Sequence, residues 1–153
     1  MKRKHIAVLS IAVFLILMAF SSPNARAQCR SFVKSVCLPQ LTPFIHDGNY
    51  QAVKMCEGED AEIYKTIFAG QKYRLLVCVD NILPNVEFIV TDIYQTILFD
   101  NRKNGNVVFW DFESEASQQI KITISIPKSK KKESDDQKTV FGCVGVLFGF
   151  MGK

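Results

Sequence analysis

Histidine is almost missing from this chain. Of its 153 residues only His5 and His46 are histidine, and His5 lies in the N-terminal segment. A Ser-His-Asp or Cys-His site would therefore have to be built on His46. Its neighbour Asp47, in "PFIHDGN", reads as part of a turn, so no catalytic residue is assigned. Zinc sites need compact groups of cysteine and histidine, and neither C-x-x-C nor H-x-x-x-H occurs. There is one tryptophan, Trp110, and it alternates with Val108 and Phe112 in "VVFWDFE". That places it in a core rather than on an exposed carbohydrate platform. The glycines of "FGCVGVLFGF" are irregularly spaced and open no helix, so they form no phosphate cradle. They read as positions of close approach or bulging in a buried strand. No cofactor signature is present. The acidic turn "EGEDAE" offers the best metal candidates, Glu57, Glu59 and Asp60 with Glu62 beside them, as hard oxygen donors for calcium. A solvated acidic turn is the plainer reading.

A long apolar run is present only at the start. Lys2, Arg3 and Lys4 precede an apolar stretch from Ile6 to Phe20, and Ala25-Arg26-Ala27 follows. These are the three regions of a secretory signal peptide, which places the signal at residues 1–27 and the mature start at Gln28. The run falls short of the ~20 apolar residues of a membrane span, so no stable span is expected after processing. A lipid-anchored start is disfavoured by Gln28 before Cys29 and by Arg26. The chain holds 19 basic and 15 acidic residues, and the leader carries four of the bases and none of the acids. The mature chain is then balanced, 15 against 15, with no general attraction to nucleic acid or to an anionic surface. A secreted or periplasmic location follows, and with it conditions that permit disulfides.

From Pro39 onward no long helical periodicity appears and no internal repeat. Short alternating runs recur instead: "NYQAVKMC", "AEIYKTIFA", "KYRLLVCVD", "NVEFIVTD", "YQTILFDN", "NVVFWDFE", "QQIKITISIP" and "TVFGCVGVLFGF". In one of them Ile120, Ile122, Ile124 and Ile126 keep a strict period of two. Asn104-Gly105 is a tight-turn signal between two runs. About eight short strands separated by turns predict an all-β antiparallel sandwich over residues 40–153. The segment "KSKKKESDDQK" reads as a loop between the last two strands.

Residues 28–39, "QCRSFVKSVCLP", predict a short helical clamp. Ser31 is a candidate cap, Pro39 a candidate stop, and Cys29, Phe32, Val33, Val36 and Cys37 fall on one side. Eight helical residues separate the two cysteines by ~12 Å along the axis, whereas a disulfide tolerates Cα separations to ~7 Å. The reading pairs Cys37 with Cys78 and Cys29 with Cys143, and leaves Cys56 as a free thiol. The clamp would lie across the outer face of a sheet whose inner face carries Val77 and Val144. Cys78 bonded directly to Cys143, with the N-terminal pair local or free, is the alternative.

The motifs "VCLP", "YRLLVC", "VEFIVTD", "LFDN", "WDF", "SQQI" and "GCVGVLFGF", in that order, cover roughly residues 28–150. In this layout the chain resembles the bacterial pre-peptidase C-terminal (PPC-like) β-sandwich, and more closely small uncharacterised secreted bacterial proteins that carry the layout alone. The resemblance implies an eight-stranded jelly-roll-like sandwich without catalytic residues. Cys56 is extra to the pattern, and no peptidase domain accompanies the module. The function expected is a secreted non-catalytic module with a structural or protein-interaction role at the cell envelope, its partner a protein or a glycan. The alternative is a small carbohydrate- or calcium-binding protein.

Overall fold

The computed structural model describes residues 25–128 and 139–152. The leader up to Asn24 and the charged segment 129–138 lie outside the described residues, as do the expectations placed on them. The chain forms two antiparallel sheets packed face to face, with an N-terminal helical segment on the back of one. The strands are β1 (Ile45–His46), β2 (Gln51–Cys56), β3 (Asp60–Ile67), β4 (Lys72–Val79), β5 (Glu87–Thr91), β6 (Ile97–Asp100), β7 (Phe109–Glu113), β8 (Gln118–Ser125) and β9 (Phe141–Phe150). The first sheet runs β1-β9-β4-β7, with β2 also on β9, and the second runs β3-β8-β5-β6. The expected sandwich is observed, with nine strands.

Alternation decides what each strand buries. Ile120, Ile122, Ile124 and Ile126 of the β8 run meet Leu75, Val77, Val144, Val146 and Phe148 of the first sheet, and all are essentially inaccessible to water. Each such aliphatic side chain contributes ~1.5–3 kcal/mol on burial. The strands β4 and β9 differ from the rest. Leu75 to Cys78 and Val144 to Phe148 are buried without interruption. An antiparallel strand open to water on one face shows polar residues at every second position. Unbroken burial means that both faces are covered.

The strand missed in the sequence is β1, a two-residue piece of a broken edge. Ile45 and His46 pair with Phe150 and Gly149, and β2 resumes on the same strand at Gln51 opposite Val146. The intervening "DGNY" steps out of the sheet through Gly48 at φ 88°.

The Asn104-Gly105 signal marks something other than a hairpin. Asn101–Asn104 form one 3-10 turn, and Gly105 ends it in the left-handed region at φ 72°. The chain there crosses from β6 in the second sheet to β7 in the first. A glycine terminating a helical turn and a glycine in a tight hairpin need the same backbone conformation, so the dipeptide does not separate them.

Asn101 is the fastening at this crossing. It is fully buried. Its side-chain oxygen accepts from the Phe88 N–H at 2.9 Å, and its amide donates to the Val86 and Val107 carbonyls at 3.0 and 3.3 Å. Asn101→Ala leaves a buried N–H and a buried carbonyl unpaired, and frees the partly exposed Val107 carbonyl. The expected cost is about 2–4 kcal/mol, read as a lower midpoint in urea with an unchanged slope.

Candidate functional site

The N-terminal segment is helical over a longer stretch than its sequence signals indicate. It comprises α1 (Ala25–Phe32), a π turn (Val33–Cys37) and a 3-10 turn (Leu38–Leu41). Ser31 does not cap it: the residue lies inside α1, and its carbonyl accepts from Ser35 Oγ at 3.0 Å. Pro39 opens the 3-10 turn instead of stopping the helix, because a first-turn residue needs no N–H partner. Cys29, Val33, Cys37 and Leu41 recur every fourth residue and are all buried against the first sheet. Val36, expected on the same side, is 47 % exposed.

Beneath this stripe lie Leu76, Cys78 and Leu147, the outward side chains of β4 and β9. Val77 and Val144 point the other way, into the core. Cys29 is bonded to Cys143 with the Cα atoms 5.1 Å apart, and Cys37 to Cys78 at 6.0 Å. The glycines of β9 make this approach possible. A Cβ on Gly145 would stand 2.5 Å from a Val33 methyl and 3.2 Å from Cys37 Sγ, and one on Gly149 would stand 2.6 Å from Phe44 Cβ. The end of the clamp is held by Arg74. Its guanidinium makes two 2.6 Å bonds to Asp111 and donates to the Thr42 carbonyl at 3.0 Å. It also stacks between the Phe44 and Phe109 rings.

The remaining residues singled out in the sequence are spread over the molecule. Cys56 is unbonded and half-buried at the end of β2. Its thiol is pushed up from the usual range, first by burial and then by Glu59 and Glu57, which is the reverse of an activated nucleophile. Glu59 accepts from the Cys56 N–H at 2.8 Å and so closes the acidic turn. Among the described residues no three His, Cys, Asp or Glu side chains are grouped to hold a metal ion, Glu57, Glu59 and Asp60 included. Trp110 is half-buried in a row of rings, 5.2 Å from Phe99 and 4.0 Å from Phe112.

His46 lies at the broken edge, 4.5 Å from the Tyr50 ring. Its Nε2 is buried without a hydrogen bond, 3.7 Å from Asp47 Oδ1. Asp47 forms an ion pair with Lys65 of β3, which ties the two sheets together at the rim of a cleft of about 270 Å³ walled by Tyr73, Phe148 and Phe150. Burial pushes the Asp47 carboxyl up, but the bonds from Lys65 and the Asn49 N–H outweigh it and hold the group below its usual value. The Asp100 carboxyl is held low by Arg102, against the opposing effect of burial. For Asp92, burial is outweighed by bonds from Thr96 and Tyr94. Carboxyls depressed in the folded state stabilise it above their unfolded pKa of ~3.9 and lose that contribution as the pH falls through the folded value. The thermal midpoint is therefore expected to change little down to about pH 5 and to drop below about pH 4. Differential scanning calorimetry across that range reads it.

The surface feature that sequence patterning missed lies where the free edges of the two sheets meet. The strand β6 ends the second sheet and β7 the first, and Phe99 stacks on Trp110 between them. Along these edges Ile97, Leu98, Val107, Val108 and Phe109 are each at least 36 % exposed. A register shift between Val90 and Thr91 moves Ile97 and Leu98 out of simple alternation. Alternation alone assigns half of such a run to the core, which hides its exposure.

This architecture is a two-sheet antiparallel sandwich carrying a disulfide-bonded helical clamp. No protein-family model matches the chain, so the resemblance to the PPC-like module is not shown, and no curated protein matches it either. Among solved structures, Aeromonas hydrophila PliG, a periplasmic lysozyme inhibitor of g-type lysozyme, superposes with a TM-score of 0.47 at 12 % identity, over 67 % of this chain and 85 % of that one. No helix among the described residues is long and apolar enough to cross a membrane.

Proposed function

We propose that the chain is an exported, non-catalytic module that binds a protein partner at the cell envelope through the side formed by β6 and β7. The observation that carries this reading is the run of exposed Ile97, Leu98, Val107, Val108 and Phe109 along two free edges, beside a half-buried row of rings. Apolar side chains gathered on a free edge are the composition of an interface centre, whereas scattered ones are ordinary surface. The clamp and its two bridges support the reading from the other side. They hold the first sheet rigid, so that binding orders little and loses little entropy.

The test is in-cell photocrosslinking from a benzophenone side chain at Leu98, with and without Val108→Arg. The expected result is a discrete crosslinked protein band that Val108→Arg removes while the thermal midpoint is retained. A band of equal yield in both proteins, or no band from any of positions 97, 98 and 107, contradicts the proposal.

A further inference from the structure

A second cleft lies on the outer face of the second sheet, where no core packing requires one. It measures about 250 Å³ and lies between β3, β8 and the loop that follows β5. Tyr64, Asp92, Ile93, Gln95, Gln119 and Lys121 line it.

The loop is built rather than slack. Asp92 Oδ1 accepts from the Tyr94 and Thr96 N–H groups, each at 2.8 Å, and the Asp92 N–H donates to the Thr96 carbonyl at 3.1 Å. The Gln95 N–H in turn donates to the Asp92 carbonyl at 3.2 Å, and Gln95 sits at φ 66°. A residue with a side chain is uncommon in that region and is held there at some cost. Opposite, the Tyr64 ring is 58 % exposed, and its hydroxyl donates to Glu62 at 3.2 Å. The second Glu62 oxygen accepts from Lys121 at 3.3 Å. Tyrosine and lysine are thus both fixed by one carboxylate.

Two amides face the solvent. Among the described residues no protein group bonds to the exposed side-chain amide of Gln95 or Gln119. Each offers two donors and an acceptor in one plane. With them stand the exposed face of Tyr64, the side chain of Ile93 and the carboxylate of Asp92. Planar amides and a carboxylate around an aromatic face match the alternating hydroxyls and the apolar C–H face of a sugar ring. An anion is disfavoured, because Lys121 is already matched by Glu62 and Asp92 would repel it. At about 250 Å³ the cleft is just under the usual range of ligand clefts, of order 300 Å³ upward, and has room for one ring at most. We infer that this cleft is a subsite for one neutral pyranose unit of an oligosaccharide, gripped by Gln95, Gln119 and Asp92 with Tyr64 as its stacking wall. The surface formed by β6 and β7 is not involved, so this inference goes beyond the protein-binding reading.

The experiment uses the exported protein on an array of immobilised neutral oligosaccharides built from glucose, mannose, galactose and N-acetylglucosamine. Sialylated glycans and unrelated peptides serve as controls. The free trisaccharide giving the strongest signal is then titrated by calorimetry. At least one neutral glycan is expected to bind, and Gln119→Ala and Tyr64→Ala are each expected to weaken it by about tenfold, the loss of one good contact. Val108→Arg is expected to leave this affinity unchanged, which separates failure here from failure of the protein-binding reading. Should Tyr64→Ala disturb the sheet, Tyr64→Phe keeps the ring and retains most of the binding. An array signal confined to the sialylated glycans or the peptides overturns the inference. So does the absence of any neutral signal, or an affinity that neither Gln119→Ala nor Tyr64→Ala changes.

Discussion

Replacing Cys37 and Cys78 together by serine is expected to lower the thermal midpoint by roughly 10 °C, from a loss of about 2–4 kcal/mol. The bond spans 41 residues of sequence, so the unfolded chain gains substantial freedom when it is absent. The folded state suffers as well. Cys37 and Cys78 form the middle of a small second core with Val33, Leu41, Leu76 and Leu147. Without the bond, only Cys29–Cys143 and side-chain packing keep the clamp on the sheet. If the clamp lifts, Leu76 and Leu147, now almost fully buried, meet water. Increased binding of a hydrophobic dye to the folded double variant reads that exposure. A midpoint within 2 °C or so of the parent protein would mean that the clamp contributes little.

The second large effect is expected at Gly145. Valine there puts a branched side chain where a single added carbon already stands 2.5 Å from Val33. Neither partner can yield easily, because Gly145 lies between Val144 and Val146 in β9 and Val33 is fully buried under the helix. Overpacking of this kind costs typically ~1–3 kcal/mol. Strand propensity favours valine over glycine, so a destabilised Gly145→Val variant would point to the clamp rather than to the strand. The compensating change is Val33→Ala. The pair Val33→Ala/Gly145→Val is expected to be more stable than the sum of the single effects allows, by about 1 kcal/mol or more in a double-mutant cycle. Simple additivity would show that the helix does not rest on Gly145.

The strands were legible because each buries one face. Period-two runs such as Ile120 to Ile126 announce themselves, and they lie where alternation places them. The covered back of the first sheet was also on the page, in a form easy to overlook. "LLVCV" and "CVGVLF" lack the polar residues that an exposed face would show, so their composition alone called for a second layer. Sheet order was not legible, because alternation fixes which face is buried and says nothing about which strand lies alongside. The turn signal at Asn104-Gly105 failed for a related reason: it reports a backbone conformation, and the connection between strands is set elsewhere. Asn101 was invisible, since an asparagine before a turn looks like every other turn asparagine until its three hydrogen bonds are seen.

The candidate surfaces were the least legible. Gln95 and Gln119 are 24 positions apart and look like ordinary polar surface residues, and only the pairing of β3 with β8 brings Gln119 beside the strand that carries Tyr64. In "VVFWDFE" alternation puts Val108, Trp110 and Phe112 on one core-facing side; Trp110 and Phe112 pack against the core, but Val108 is 40 % exposed. In the sequence His46 has a place beside a turn and no catalytic role. Its ring meets that of Tyr50 at a tilt of 51°, and among the described residues no serine, threonine or cysteine side chain is hydrogen-bonded to it.

The clamp is the element on which the account rests, since it explains the composition of β4 and β9, the glycines opposite the helix and the use of four of the five cysteines. Non-reducing peptide mapping of the protein made under oxidising conditions, alkylated before digestion, tests it most directly. The account predicts two linked peptides, Cys29 with Cys143 and Cys37 with Cys78, and alkylated Cys56. A peptide linking Cys78 to Cys143, or one linking Cys29 to Cys37, would contradict it.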